Sequence, residues 1–230
     1  MPFYYGIDRY YILLVLPAIL ISLIAQILVK SSFAKYSKVG CSLTGAEAAS
    51  RVLEKCGVRN VKIERTRGSL TDHYDPRTNT IRLSESVYDS MSVAAVGVAC
   101  HEAGHAVQYA KKYLPIKIRA AVIPATQIGS RLSWPLLLIG LLFNSTLLVD
   151  IGILLFGLVV IFQLITLPVE FNASSRAVTV IRENYLLTNE EQVGGVKRVL
   201  TAAALTYVAA LMVSLAQMLR LLLLFNRNRK

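Results

Sequence analysis

The residues able to do chemistry in this 230-residue chain are few, and they cluster. The run His101-Glu102-Ala103-Gly104-His105 sets two of the chain's three histidines four positions apart. On a helix, positions i and i+4 share a face, close enough for both imidazoles to bind one tetrahedral zinc. Glu102 projects from a neighbouring direction and can take a proton from a water that zinc has made acidic. These are the parts of a water-attack peptidase. A bare HExxH pattern arises by chance, but this one has GVAC before it and AV after it, uncharged and free of proline. Ala103 and Gly104 are small enough for close packing behind the metal face. Cys100 points about 100° away from His101 on a helix and reads as a buried small side chain.

A catalytic zinc has three protein ligands and one open position. The third ligand must come from elsewhere, and the candidates are His73, Asp72, Asp75 and Glu170. Topology favours Glu170. It follows an apolar region long enough to cross a membrane twice, and two crossings return the chain to the side it left. It begins the run EFNASSRA, which has the small residues a close-packed helix needs. A tetrahedral oxyanion also needs a positioned donor. His73, Tyr74 and Arg176 are candidates, and an edge strand carrying His73 and Tyr74 could bind a substrate backbone by strand addition.

The elements that must position these groups follow from pattern. Ile12 to Val29 is an 18-residue run without a charge, long enough to span a bilayer. The preceding MPFYYGIDRY has no positive excess and no A-x-A cleavage site follows, so the run reads as an uncleaved anchor rather than a signal peptide. Lys30, Lys35 and Lys38 follow it, which puts residue 30 onward on the cytoplasmic side. Thr44 and Glu47 have capping-box spacing, predicting a helix over Gly45–Lys55 with Gly57 just past its end. Val61 and Ile63 alternate with polar residues as in a strand. A second strand near Leu70–Tyr74, the turn DPRTN and a returning strand over Thr80–Leu83 make a hairpin. A long helix from Met91 to Lys111 carries HEAGH. The apolar stretch 120–169 reads as a helical hairpin, about 120–143 and 147–168, turning at Asn144-Ser145-Thr146. Arg131 falls within its first arm and should face a bundle or a wet cavity, unless that arm starts later. Val199–Leu219 is a further 21-residue uncharged run, followed by a basic tail at Arg220, Arg227, Arg229 and Lys230. Length favours a crossing there, whereas the positive-inside rule opposes it.

Composition agrees with a membrane protein. Hydrophobic residues make up 54% and charged residues 17% of the chain, against about 25% charged in a soluble domain. The net charge of +11 does not signal nucleic acid. Fifteen of the 25 Lys and Arg lie between Lys30 and Arg119, mixed with eight of the 14 acids, and no nucleic-acid motif accompanies them. Three cysteines (Cys41, Cys56 and Cys100) without CxxC spacing make no disulfide framework and fit a reducing compartment.

The segments LTDHYDPRTNTIRLSE, AAVGVACHEAGHAVQ and TLPVEFNASSRA resemble the YugP-like neutral zinc metallopeptidases of bacterial membranes. The resemblance covers nearly the whole chain, from the N-terminal anchor to LTAAALTYVAA, and extends more distantly to membrane proteases of the Ste24 and HtpX type. In that broader group a glutamate on a later helix completes a His-His-Glu site. The resemblance therefore implies zinc ligands His101, His105 and Glu170, with Glu102 as base and one Zn2+ per chain. Glutamate-type zinc peptidases often carry an Asp four residues after the ligand, where it hydrogen-bonds a ligand histidine. Ser174 stands at that position, a weaker orienting group.

The fold class expected is α+β: a multi-pass helical membrane protein with a small zincin-like cytoplasmic domain of helix, β-hairpin and HExxH helix. The segments are an anchor over 1–30, the HEAGH domain over 31–118, a transmembrane hairpin over 119–169, a third-ligand helix and loop over 170–198, and a membrane-associated helix and basic tail over 199–230. The expected activity is a zinc endopeptidase of the bacterial plasma membrane, facing the cytoplasm. Its partners would be the lipid bilayer and membrane or membrane-near polypeptides. Two other readings compete. An intramembrane protease would place HEAGH within the bilayer, but only nine apolar residues, Ser92–Cys100, precede it and no NPxDG motif occurs. A scaffold or adaptor with a structural zinc would need a fourth protein ligand.

Overall fold

The computed structural model describes residues 8–227. The first residues of the N-terminal segment, and Arg229 and Lys230 of the basic tail, lie outside the described residues. The chain is mostly helical, with one small sheet. A π-helical turn, Tyr11–Val15, leads into α1 (Leu16–Tyr36), and α2 (Gly45–Lys55) follows. The sheet strands β1 (Lys62–Thr66), β2 (His73–Asp75) and β3 (Thr80–Ser84) come next, then a single turn, α3 (Glu85–Tyr88), and the HEAGH helix α4 (Val93–Ala110). Three long helices complete the chain: α5 (Leu114–Leu142), α6 (Thr146–Glu183) and α7 (Glu190–Arg227).

Local chemistry sets the ends of the short elements. Thr44 Oγ1 accepts from Glu47 N while the Glu47 carboxylate accepts from Thr44 N, the reciprocal pair expected of a capping box. Gly57, at φ +69°, takes the left-handed turn that ends α2. Ser92 caps α4 by accepting from Ala95 N. Asn189 does the same for α7, accepting from Gln192 N at 2.8 Å.

The expected hairpin is present: β2 pairs antiparallel with β3, Tyr74 opposite Ile81. Its first strand starts at His73 rather than Leu70, because Gly68 (φ +97°) and Leu70 (φ +58°) turn the backbone out of the extended region. Unforeseen was the parallel pairing of β1 with β3, Lys62 opposite Thr80 through Thr66 opposite Ser84, giving sheet order β1-β3-β2. Asp75 shapes the turn, accepting from Arg77 N and from Thr78 Oγ1 and pairing with Arg82. The Arg77 amide, with Arg82 and Thr78, holds the Asp75 carboxyl down at about 2.

Among the described residues, three helical stretches, Tyr11–Tyr36, Thr146–Glu183 and Glu190–Phe225, are long and apolar enough to cross a membrane. The turn near Asn144 stands where expected, with Asn144 at φ +51°. The helices around it are longer than their apolar runs. Helix α5 begins at Leu114, α6 continues past residue 168 to Glu183, and α7 begins at Glu190 rather than Val199. Helix α5 is not among the three apolar stretches, and Arg131, expected to face a bundle or cavity, is exposed on it.

The chain divides into two compact units. The first comprises the described chain up to Ala25, Ile118–Leu167 and Thr206 onward. Leu137, Val149, Phe156 and Leu211 contribute to its core, and Asp8 pairs there with buried Arg220, whose guanidinium lies over Tyr11. The second comprises Gln26–Lys117 and Pro168–Leu205 and contains the sheet, α2, α4 and the C-terminal part of α6. Its core is rich in alanine and valine: Ala48, Val52, Val96, Ala99, Ala103 and Ala177 are buried. Small side chains at these positions let helix axes approach closely.

Candidate active site

All of the site's parts lie in the second unit. Helix α4 is apolar along most of its length, so it is buried on nearly every side. On α6, Val169, Ala173, Ala177 and Ile181 recur every four residues and are fully buried. That stripe packs against α4. A Cβ placed on Gly104 would stand 2.7 Å from the Ala173 carbonyl oxygen. The two backbones therefore touch at the residue just before His105, and only glycine permits it. Glu170, three residues before Ala173, and Ser174, one after it, are carried to the histidines by this contact.

The resulting geometry is compact. Glu170 Oε2 lies 3.2 Å from His101 Nε2 and 3.5 Å from His105 Nε2. The two imidazoles meet edge to face with centroids 4.7 Å apart. The three donor atoms lie within 4.8 Å of one another. A tetrahedral zinc with bonds of about 2.0–2.2 Å requires ligand atoms roughly 3.3–3.5 Å apart. The donor set is one that zinc takes, and both distances from Glu170 to the imidazoles match that spacing. Glu170 is 2% exposed and His105 8% exposed, so both are sheltered from water.

The outer nitrogens of the two rings are held by other groups. His101 Nδ1 lies 3.1 Å from Ser174 Oγ, so Ser174 occupies the orienting position in fact as well as in sequence. His105 Nδ1 lies 3.0 Å from Gln108 Oε1. Gln108 Nε2 donates to the Val169 carbonyl at 2.8 Å and to Asn172 Oδ1 at 3.0 Å. Asn172 Oδ1 also accepts from Arg176 Nε at 2.7 Å, and Arg176 lies over the Tyr113 ring. Burial opposes the charged form of His105, but Glu170, Glu102 and Gln108 outweigh it and its pKa is raised.

The alternative third ligands are engaged elsewhere. Asp72 accepts from the backbone and hydroxyl of Ser84, and Asp75 belongs to the hairpin turn. His73 is exposed, its Nδ1 2.8 Å from the Thr71 carbonyl. The Tyr74 hydroxyl donates to Asn79, its ring tilts against Tyr109, and burial raises its pKa. Among the described residues His73 does not join the histidine–glutamate group, and Arg176 stands on the same helix as Glu170. Glu102 is half-buried on α4 beside His101. Cys100 is fully buried, which raises its thiol pKa, and is not part of the group.

Gln108 and Asn172 went unnoticed in the sequence. The signal for Gln108 was present, since it stands three residues after His105 on the same helix face. Asn172 gave none, because its role depends on how α6 docks.

Residues 11–226 match the profile of a family described as "putative neutral zinc metallopeptidase". The chain is 48% identical over 222 residues to the Bacillus subtilis (strain 168) protein described as "Putative membrane protease YugP", covering 95% of this chain and 98% of that one. No solved structure matches the chain. The family match takes in both histidines of HEAGH and Glu170 together with the helices that carry them, and the chain belongs to this zinc metallopeptidase family.

Proposed function

We propose that this protein is a membrane-anchored zinc endopeptidase that cleaves polypeptides in or near the membrane. The observation that carries the proposal is the convergence of His101 Nε2, His105 Nε2 and Glu170 Oε2, three zinc-ligand atoms within 4.8 Å of one another. These three residues would hold one zinc per chain. Zinc bound there would supply Lewis acidity, making a coordinated water acidic near neutral pH and polarising the scissile carbonyl. Glu102 takes the proton of the attacking water and passes it to the leaving amide nitrogen. Ser174 and Gln108 keep each imidazole turned with Nε2 inward.

Arg176 is the best placed of the three oxyanion candidates, because it stands on the ligand helix. His73 with Nδ1–H on the Thr71 carbonyl offers only a lone pair at Nε2 when neutral, and the Tyr74 proton is given to Asn79. The edge strand β2 offers backbone groups for an extended substrate. We read helix α2, the hairpin and α4 as a zincin-like arrangement. Lys30, Lys35 and Lys38, after the first apolar run, support a cytoplasmic site on a bacterial plasma membrane. Among the described residues the donor group has three members, which favours an open catalytic site over a closed structural one.

The test is Glu102→Gln in the zinc-loaded full chain. It should retain metal and lose about 10²- to 10⁴-fold in peptide cleavage, the usual contribution of a general base. Undiminished cleavage would remove Glu102 from the mechanism.

A further inference from the structure

A cavity of about 300 Å³ lies within the second unit, between α6 and α7, and the proposed mechanism does not use it. Phe171, Ser174 and Val178 of α6 and Leu200 and Ala204 of α7 form much of its wall. Arg182 and Lys197 add two cations. The two helices are joined by a short turn, so they run antiparallel. Arg182 and Lys197 therefore lie toward the turn, and Phe171 and Ala204 toward the other end. The lining residues of α6 extend from the residue after Glu170 to Arg182, about 16 Å at 1.5 Å per residue. An extended peptide covers that length with about five residues.

Two observations tie this groove to the metal-binding group. Ser174 lines it and also holds His101 Nδ1. Phe171 is exposed in its wall directly after Glu170. The lining also suits a peptide better than a lipid chain. Ser174, Ser175, Thr179 and Thr201 contribute hydroxyls, which backbone amides can partner and an acyl chain cannot. At the turn end Arg182 is engaged by Glu190 at 3.0 Å, whereas Lys197 makes no salt bridge among the described residues. A cation left in this way at the end of an apolar groove favours a negatively charged occupant.

We propose that the groove between α6 and α7 is a substrate subsite for a polypeptide segment flanking the scissile bond, with an apolar residue toward Phe171 and an acidic residue at Lys197. This assignment rests on the peptidase reading, and it names the class of substrate preferred.

The test uses zinc-loaded Glu102→Gln full chain in phosphatidylcholine nanodiscs, which separates binding from cleavage. The probes are two fluorescent peptides, each with an apolar residue followed by either a pair of aspartates or a pair of lysines. Fluorescence anisotropy should give about fivefold tighter binding of the acidic peptide, the range of an exposed ion pair. Adding Lys197→Glu, a substitution at an exposed site, should abolish or reverse that preference. The chain with native Glu102 should cleave the two peptides in the same order. Equal binding of both peptides, or a preference untouched by Lys197→Glu, overturns the subsite. Loss of acidic-peptide binding in phosphatidylglycerol nanodiscs, restored by Lys197→Glu, would assign the groove to lipid and also overturn it. Charge-selective binding with no cleavage by the chain with native Glu102 would uphold the groove and reject the peptidase. Cleavage without charge preference would do the reverse.

Discussion

Gln108 Oε1 lies 3.0 Å from His105 Nδ1, and the roles of both atoms are fixed from outside the pair. Arg176 can only donate, so Asn172 Oδ1 is an acceptor. Gln108 Nε2 then donates to Asn172 Oδ1 and to the Val169 carbonyl, which leaves Gln108 Oε1 as the acceptor. His105 Nδ1 must then be the donor, which leaves Nε2, beside Glu170, as the ring nitrogen that can bind a metal. Arg176, at the far end of the chain of bonds, thereby sets the tautomer of a histidine it does not touch. Gln108→Leu should weaken zinc binding about 10- to 100-fold, the usual effect of removing such an orienting partner. Chelator competition measures it, and an unchanged affinity would mean that Gln108 serves packing alone.

The approach of α4 and α6 at Gly104 makes a second prediction. Gly104→Ala places a methyl group 2.7 Å from the Ala173 oxygen, and that oxygen is backbone, so it cannot step aside. The helices must separate, carrying Glu170 away from the histidines. Destabilisation of roughly 1–3 kcal/mol is expected from overpacking, together with loss of zinc. Thermal unfolding and metal content measured together should both fall. A variant with normal zinc content would show that Gly104 does not set the ligand spacing.

With His101 Nε2 on zinc, Nδ1 would carry the proton and Ser174 Oγ would accept it at 3.1 Å, where a carboxylate would bind the ring more strongly. Ser174→Asp should therefore tighten zinc binding, and Ser174→Ala should weaken it. Chelator competition on the two variants should move in opposite directions. Movement in the same direction would mean that the hydroxyl is not orienting the ring.

The hairpin carries a pH dependence of its own. The Asp75 carboxyl titrates at about 2 in the fold, against an ordinary value of 3.8. A depressed carboxylate contributes stability in full above the unfolded value and loses it as pH falls through the folded one. The contribution of Asp75 is thus nearly complete above about pH 4, falls between there and about pH 2, and is gone below that. Asp75→Asn should lower stability at neutral pH and flatten its decline across that window. Denaturant midpoints at pH 5, 4, 3 and 2 measure this, and parallel curves for the two proteins would contradict it.

The sequence made the metal-binding helix legible because HEAGH packs its chemistry into five consecutive residues whose geometry is that of any helix. The capping box at Thr44 and Glu47 was legible for the same local reason. Glu170 was harder. Its expected position rested on an even number of membrane crossings, yet α5 is not one of the helices apolar enough to cross. What delivers Glu170 is the contact between Gly104 and Ala173, which no spacing in the sequence encodes. The parallel pairing of β1 with β3 was hidden likewise, since it joins strands separated by the loop and the hairpin. Helix ends in the long helices were misplaced because hydropathy marks where a helix is apolar, not where it stops, and α6 and α7 run on through polar residues.

Zinc stoichiometry in the Glu170→Ala variant tests the central claim most directly, because Glu170 is the ligand that only the fold brings to HEAGH. One zinc per chain is expected in the parent protein and in Glu102→Gln. Little or none should remain in Glu170→Ala, as in His101→Ala and His105→Ala. A folded Glu170→Ala variant that keeps one tightly bound zinc would contradict the His101–His105–Glu170 site.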